Sequence, residues 1–233
     1  MESNRMIRLD KYLSDCGLGT RKEVKKIIKE EIVTVNDERI VSPSFLLDED
    51  AKVCVNDEMI TYQKYVYIML NKPSGYISAT ESAEENVLDL IQEYYKGLYP
   101  VGRLDKDTEG LLLITNDGPL GHQLLSPKKH VEKEYIAQVE HELSDTDLKR
   151  FEEGIQSGET IFQPAKVFKS NENEYHVIIK EGKFHQIKRM FQMVDNEVLY
   201  LKRIRMKNLI LDENLELGQY RFLTQEEIED LKL

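Results

Sequence analysis

Two carboxylates stand directly before an apolar run, and they are the strongest candidates for chemistry in this chain. They are Asp105 and Asp107 in the segment VGRLDKDTEGLLLITNDG, which spans residues 101–118. A carboxylate at the edge of a cleft can act as a nucleophile or as a general base. A carboxylate pair can instead hold a divalent cation, because hard cations prefer oxygen ligands. Lys106, between the two acids, weakens the metal interpretation, and a structural ion pair between Asp105 and Arg103 is the simplest alternative.

Other common catalytic signatures are missing from the sequence. It contains no GxxxxGKS, GxGxxG, HExxH or GxSxG pattern, so the usual nucleotide-binding, zinc-protease and hydrolase interpretations lose their support. The five histidines are scattered, and Cys16 and Cys54 lie far apart without a metal-binding spacing. We therefore expect no metal and no cofactor.

Composition predicts an ordinary soluble protein. With 233 residues, of which 40% are hydrophobic and 32% are charged, the chain can bury one good core and a small additional module. No apolar run approaches the length of a membrane span, and the start MESNRMIRLDKYL lacks the apolar core of a signal peptide. The expected location is the cytoplasm, without membrane attachment.

The charge distribution indicates nucleic acid despite a net charge of −11. Residues 5–29 carry eight Lys or Arg against three acids, and residues 180–207 repeat this balance. Charges act over a screening length of about 8 to 10 Å, so a basic face can bind phosphate on an acidic protein. Charge alone leaves the alternative of two solvated helix faces open.

The elements predicted around these residues form a small unit followed by a larger one. A helix over 8–16 precedes a second helix over 20–31, which opens with the capping box Thr20 and Glu23, and short strands follow to about residue 60. In the larger region, strands outnumber helices and do not alternate regularly with them. This pattern favours an α+β fold with a mixed, mainly antiparallel sheet. A predicted helix over 184–194 turns one apolar face inwards, with Phe184 as its first member.

The first segment, RLDKYLSDCGLGTRKEVKKIIKEEIVTVNDERI, resembles the S4 domain, a small RNA-binding module. The resemblance implies that its basic residues contact RNA: Arg8, Lys11, Arg21, Lys22, Lys25 and Lys26. Two glycines of the family pattern are missing, and the hairpin turn is Asn36-Asp37 instead of Asn-Gly. Asp tolerates the left-handed conformation that such a turn requires, so the departure is mild.

The larger region resembles the pseudouridine synthases through its GRLDxxTxGLLLxTxDG motif. Three further motifs occur in the family's order: NKPSGY (71–76), SPKKHVEKEY (126–135) and KEGKFHQIKRMF (180–191). The wording of the second motif is closest to the RsuA family, whose members modify small-subunit (16S) ribosomal RNA. The predicted organisation is an S4-like RNA-binding domain over 1–61, a linker over 62–65 and a pseudouridine synthase catalytic domain over 66–233.

The resemblance assigns a role to several residues. Asp105 becomes the catalytic carboxylate, and Lys188 takes the family's basic position, often Arg, which keeps that carboxylate ionised. Tyr135 stacks on the target base, Arg103 holds the flipped nucleotide or fills its place, and Leu201 lines the pocket. Each has a simpler alternative: a solvated helix Lys, a packed strand Tyr, an ion-paired Arg and a core Leu. Lys72 with Pro73 is expected to form a turn, and His185 with Gln186 to support a helix.

The implied reaction isomerises one uridine of ribosomal RNA, and the RsuA resemblance implies uridine 516 of 16S rRNA as its site. Either free RNA or an assembling small subunit is the expected partner, bound by a monomer. A sister branch that acts on 23S rRNA is the first alternative, and a non-catalytic ribosome-assembly protein is the second. The third, metal-dependent hydrolysis at Asp105 and Asp107, predicts that a chelator removes activity.

Overall fold

The computed structural model describes residues 6–62 and 64–233, which form two compact units. Met1–Val66 and Ile91–Leu98 make up the first unit, and Tyr67–Leu90 and Tyr99–Leu233 make up the second. Residues 91–98 belong with the first unit because a bridge pairs Tyr94 with Leu18. Of the predicted domains and linker, residues 1–5 and Gln63 lie outside the described residues.

The first unit packs two helices against short strands. Its elements are β1 (Met6–Arg8), α1 (Leu9–Asp15), α2 (Arg21–Glu30), β2 (Val33–Val35), β3 (Glu38–Arg39), β4 (Leu46–Asp48), β5 (Val53–Val55) and β6 (Glu58–Ile60). Strands β3, β2, β5 and β6 form an antiparallel sheet in that order, and β1 pairs with β4. The apolar side of α2, with Val24 and Ile28, closes a core that also contains Leu9, Leu13 and Val33.

Local signals in the first unit act as the sequence predicts. The Thr20 side chain accepts a hydrogen bond from the Glu23 amide, and Glu23 caps Thr20 in return, so the predicted capping box opens α2. Asn36 and Asp37 both have positive φ, 50° and 69°, which confirms that Asp takes the left-handed turn position in place of Gly. On α2, Val24 and Ile28 are buried while Lys22 and Lys25 are exposed, so the charged side of the helix faces away from the packed core.

The second unit contains one large sheet and a separate antiparallel pair, β11 with β12. The strands of this unit are β7 (Tyr67–Lys72), β8 (Tyr99–Pro100), β9 (Glu109–Thr115), β10 (Lys133–Val139), β11 (Ile155–Ser157), β12 (Thr160–Phe162), β13 (Lys166–Asn171), β14 (Glu174–Ile179), β15 (Val198–Met206), β16 (Leu209–Ile210) and β17 (Tyr220–Phe222). Its α-helices are α3 (Gly118–Leu125), α4 (Asp145–Glu153), α5 (Gln186–Gln192) and α6 (Gln225–Lys232), and Val87–Leu90 and Pro127–Lys129 are 3₁₀ helices.

The strand order confirms the predicted fold class. The sheet runs β13-β14-β10-β15-β9-β7-β17, with β16 added to β15 and β8 to β9. Among the described residues, the pair β9 and β15 is parallel and the other strand pairs of this sheet are antiparallel, so the sheet is mixed and mainly antiparallel. Within residues 6–62 and 64–233, no helix is both long enough and apolar enough to cross a bilayer.

One predicted helix face is partly wrong. Helix α5 begins at Gln186, two residues later than predicted, because His185 adopts a left-handed φ of 48°. Ile187, Phe191 and Val194 are buried as expected, but the Phe184 side chain is 68% exposed. The left-handed residue turns Phe184 out of the helical repeat, so it does not join the buried face.

Candidate active site

Asp105 lies in the loop that joins β8 to β9, and the main chain on both sides of it is pinned. The Ser78 hydroxyl donates to the Leu104 carbonyl (3.1 Å) and accepts from the Leu104 amide (3.1 Å). On the other side, the Thr108 amide donates to the Asp105 carbonyl (3.0 Å), which closes a tight turn. The charged entry to the β9 strand is thus an ordered loop, and it presents one carboxylate at a fixed position.

A buried lysine at the end of β7 forms hydrogen bonds with the main chain of the same loop. Lys72 is fully buried, and its ammonium group donates to the carbonyls of Pro73 (3.0 Å), Lys106 (3.1 Å) and Thr108 (2.9 Å). These bonds use all three donors of the group. Burial lowers the pKa of Lys72 to about 8, although the nearby acids Asp107, Glu109 and Asp105 oppose that shift. Lys72 is therefore a structural anchor of the Asp105 loop, as well as part of the predicted turn.

Gly110 brings this loop against β15. Its φ is +99°, and a Cβ at this position would lie 2.2 Å from the Arg203 carbonyl oxygen. Only glycine allows the close parallel pairing of Gly110 with Arg203. This pairing places the Asp105 loop beside Leu201, which is buried on β15. Asp105 and Leu201 line one small pocket together.

Two cationic or potentially cationic groups flank the Asp105 carboxylate. Lys188 Nζ from α5 lies 3.5 Å from one carboxylate oxygen, and His185 Nε2 lies 3.6 Å from the other. The Asp105 side chain is 26% exposed, and no described residue makes a hydrogen bond to its carboxylate. A partly desolvated carboxylate with favourable charges nearby and free oxygen lone pairs suits a nucleophile or a base.

Lys188 is bound more closely to the second aspartate than to the first. Its ammonium group donates to both carboxylate oxygens of Asp107, at 2.6 and 2.8 Å. These hydrogen bonds hold the pKa of Asp107 below its usual range, against the opposing effect of burial. The ammonium group thus bridges the two carboxylates and takes the place that a metal ion would need to bind both. Among the described residues, no group of three or more His, Cys, Asp or Glu side chains is arranged to hold a metal.

Tyr135 and Arg103 form the wall of the pocket beside Asp105. This pocket has a volume of about 60 Å³. Arg103, Leu104 and Asp105 also line an open groove of about 870 Å³. Tyr135 is buried on β10. Arg103 is exposed and forms no ion pair with Asp105. The exposed ring of Phe184, stacked on His185 at 3.8 Å, lines the same groove.

The basic residues of the first unit fall into two groups. Arg8 forms a two-point ion pair with Asp10, Lys11 pairs with Asp15, and Lys26 lies 3.8 Å from Glu30. Arg21, Lys22 and Lys25 are exposed on α2 and form no ion pair with the described residues. The second group therefore carries the positive charge that remains available to an anionic partner.

Several residues near the pocket were not singled out from the sequence. His185 was expected only to support the helix, yet it lies beside Asp105. Arg203 was counted with a basic face, but it is 1% exposed, so it contributes nothing to the outer surface. Lys133 is also buried, and strand alternation gave the signal, because Lys133 shares the inward face of β10 with Tyr135.

Comparisons with known proteins agree on one family. The model of the RNA pseudouridylate synthase family matches residues 66–193, and that of the S4 domain matches residues 7–53. An uncharacterised RNA pseudouridine synthase of Bacillus subtilis is 44% identical over 95% of this chain and 97% of its own. The ribosomal small subunit pseudouridine synthase A of Vibrio cholerae is 40% identical, over 95% and 98%. A crystal structure of a pseudouridylate synthase superposes with a TM-score of 0.68 at 34% identity, covering 97% of this chain and 99% of the other.

Proposed function

This chain belongs to the RNA pseudouridylate synthase family and carries an S4 domain, and we propose that it converts one uridine of small-subunit ribosomal RNA to pseudouridine. The observation that carries the proposal is the Asp105 carboxylate, which receives no hydrogen bond from residues 6–62 or 64–233 and is flanked by Lys188 and His185 at the edge of a groove. Relatives named as small-subunit enzymes, at 34 to 40% identity over nearly the full length, support the 16S substrate. We place the target at uridine 516 of that RNA.

The chemistry requires only what this site offers. The reaction breaks the N1–C1′ bond of uridine, turns the uracil and joins its C5 to C1′. The proton lost from C5 is balanced by one gained at N1, so the product is an isomer and nothing is oxidised or reduced. Asp105 acts by attacking C1′ or by removing a proton from the sugar, and both routes need its ionised form. The Lys188 ammonium group and the His185 ring lie within 3.6 Å of the carboxylate oxygens and can stabilise negative charge at this position.

Binding has to supply the free energy that takes the uridine out of its stack. That cost is a few kcal/mol, and stacking a base on an aromatic ring returns about 1 to 3 kcal/mol. The Tyr135 ring faces the pocket, and the exposed Phe184 ring stands at the groove. We assign the flipped base to Tyr135, with Leu201 lining its site and Arg103 holding the nucleotide or filling the gap it leaves.

The S4 unit supplies affinity for the phosphate backbone. Arg21, Lys22 and Lys25 point outward from α2 without acidic partners. Such contacts recognise the shape and charge of folded RNA more than its sequence. The same proposal includes a monomeric enzyme that works in the cytoplasm, and light scattering with and without RNA tests the monomer.

Mapping pseudouridine in ribosomal RNA tests this function. Cells that lack the gene are expected to lose one site in 16S rRNA and to recover it with the wild-type protein. The Asp105→Asn protein should not restore the site, while the matched Asp107→Asn protein should. Loss of a 23S site would transfer the assignment to a sister branch. If no site is lost, the chain is a binding protein and the enzymatic proposal fails.

A further inference from the structure

A second cavity adjoins the pocket beside Asp105. It has a volume of about 400 Å³, and Tyr135 and Arg103 line both this cavity and the pocket beside Asp105. Its wall includes two buried cationic residues, Lys133 at 8% and Arg203 at 1% exposure. Lys180 and Lys183 add two further basic residues to the lining. The cavity is therefore a positively charged neighbour of the proposed base site.

The two buried cations lack countercharges. Arg203 Nε donates to the Leu111 carbonyl (2.7 Å), but its Nη2 is buried without a hydrogen-bond partner. Lys133 donates only to the Val131 carbonyl (3.2 Å). Within the described part of the chain, no carboxylate forms an ion pair with either residue. Burying unpaired charge and an unused donor is costly, so such a pair calls for a ligand that supplies negative charge.

The acids nearby are already committed to other groups. Glu181 lines the cavity, but it pairs with Lys183 (3.0 Å) and accepts from the Gln163 amide and the Gln186 side chain (both 2.8 Å). Glu134 follows Lys133 on the opposite face of β10 and binds Arg205 (2.8 Å). The compensating negative charge must therefore come from outside the described chain.

Sheet register aligns this cavity with the base site. Lys133 and Tyr135 share one face of β10, where residues two apart are separated by about 7 Å. Arg203 lies opposite Tyr135 on β15, and Leu201, two residues before Arg203 on that strand, lies opposite Ala137. The same face of the sheet thus runs from Leu201 through Tyr135 to Arg203 and Lys133. When a flipped nucleotide stacks on Tyr135, the adjacent nucleotide of the RNA therefore lies next to Lys133 and Arg203.

We propose that this cavity binds a phosphodiester group of the substrate RNA next to the flipped uridine, with Lys133 and Arg203 as its ligands. Arg203 lines the cavity with a planar guanidinium group of the kind that binds phosphate, and the lysine adds a compact positive charge. The assignment of this phosphate to RNA rests on the proposed function, whereas the anion site itself rests on the buried charges alone.

The sharpest test removes one buried charge and keeps its volume. In Lys133→Met, affinity for a 16S rRNA fragment is expected to fall about tenfold, and the slope of log K against log salt to fall by about 1. The melting temperature should rise at the same time, because the unpaired buried charge is gone. Lys149→Met, which removes an exposed charge from α4, should leave the RNA affinity, the salt slope and the melting temperature close to those of wild type. Unchanged RNA affinity and salt slope in Lys133→Met would overturn the proposal.

A second measurement does not depend on how a variant folds. NMR of the Lys133 side chain is recorded in the Asp105→Asn protein, with a short uridine oligonucleotide in one arm and inorganic phosphate in the other. The proposal expects the oligonucleotide to raise the pKa of Lys133 above its value of about 8. No change with the oligonucleotide contradicts it, and a change with inorganic phosphate alone would assign the cavity to free phosphate instead.

The two proposals fail separately. If wild type and Lys133→Met bind RNA equally while pseudouridine still forms, the phosphate site is wrong and the function stands. If Lys133→Met weakens RNA binding but deleting the gene removes no pseudouridine, the enzymatic function is wrong and the site stands.

Discussion

Lys188 Nζ lies 2.6 Å from Asp107 Oδ1 but 3.5 Å from Asp105 Oδ2, so one ammonium group is shared unequally between two carboxylates. Asp107, the more exposed of the two, takes both short hydrogen bonds. The catalytic candidate therefore receives the charge of Lys188 without being locked by it. A carboxylate that must approach a sugar carbon benefits from this arrangement, because no strong hydrogen bond has to break first.

Removing the Lys188 charge should slow the reaction. In Lys188→Met, we expect single-turnover pseudouridine formation to fall about tenfold or more, because the ammonium group 3.5 Å from the Asp105 carboxylate is lost. Single-turnover rates of the variant and of wild type measure this effect. Lys188→Arg keeps the charge and should restore most of the rate. A Lys188→Met protein as active as wild type would show that the reaction does not need this charge.

Removing the competing carboxylate should have little effect on the reaction. In Asp107→Asn, Lys188 loses its closest anionic partner and can turn fully towards Asp105. We expect activity to stay within about threefold of wild type, because the Asp105 carboxylate keeps its neighbouring ammonium group. Asp105→Asn, the matched substitution, should lose about 1,000-fold or more. An inactive Asp107→Asn protein with normal stability would mean that Asp107 itself takes part in the reaction.

The sequence predicted the elements well where the signal is local. The capping box at Thr20 starts its helix as expected, and the larger region forms the expected mixed, mainly antiparallel sheet. The contacts around Asp105 depend on long-range packing and could not be predicted in the same way. Sequence spacing does not reveal that Lys188 chooses Asp107 over Asp105, or that a left-handed His185 turns Phe184 outward.

The buried cations were missed for another reason. Lys and Arg are rarely fully buried, so a basic run is read as surface. Strand alternation could have placed Lys133 inside with Tyr135, but only the fold shows that Arg203 lies opposite Tyr135 with an unused donor.

Within the S4 unit, the unpaired cations of α2 should dominate RNA binding. We expect Lys25→Gln to reduce the slope of log K against log salt by about 0.7 to 1, because one phosphate contact is lost. Lys11→Gln is the matched control, since Lys11 is already paired with Asp15 and should have less effect. Filter binding between 50 and 200 mM salt measures both slopes. Equal changes of slope in the two variants would show that ion pairing with an acid does not decide which basic residues of this unit contact RNA.

Lys72 should matter for the order of the Asp105 loop. Lys72→Met removes one hydrogen bond from each of three carbonyl groups, of which that of Lys106 keeps the Gly75 amide as a donor (2.8 Å). A buried carbonyl group left unsatisfied costs about 1 to 3 kcal/mol. Relief from the buried charge returns part of this cost, so we expect a net loss of stability and of activity. Lys106→Met is the control, because Lys106 is exposed and pairs only with Glu84. Chemical denaturation and single-turnover rates provide the two readouts, and a Lys72→Met protein as stable as wild type would contradict the anchoring role.

Lys133 should give the folding stability a measurable pH dependence. Burial, with a smaller contribution from Arg203, lowers the pKa of Lys133 from 10.5 to about 8 in the folded protein. Between pH 8 and 10.5, the unfolded chain therefore holds more protons at this site than the folded chain. The contribution of Lys133 to stability must then rise with pH across this window. Below pH 8 the folded protein bears the full cost of the buried charge.

The Lys133→Met variant isolates this contribution. Near pH 7 it should be more stable than wild type by about 3 kcal/mol, the free energy that corresponds to a pKa lowered from 10.5 to about 8. This advantage should shrink as the pH rises from 8 towards 10, because wild-type Lys133 then loses its proton and its cost. Urea denaturation of both proteins at several pH values measures the difference, and Lys149→Met serves as the exposed control. A stability difference that stays constant with pH would show that Lys133 is not a buried, unpaired cation.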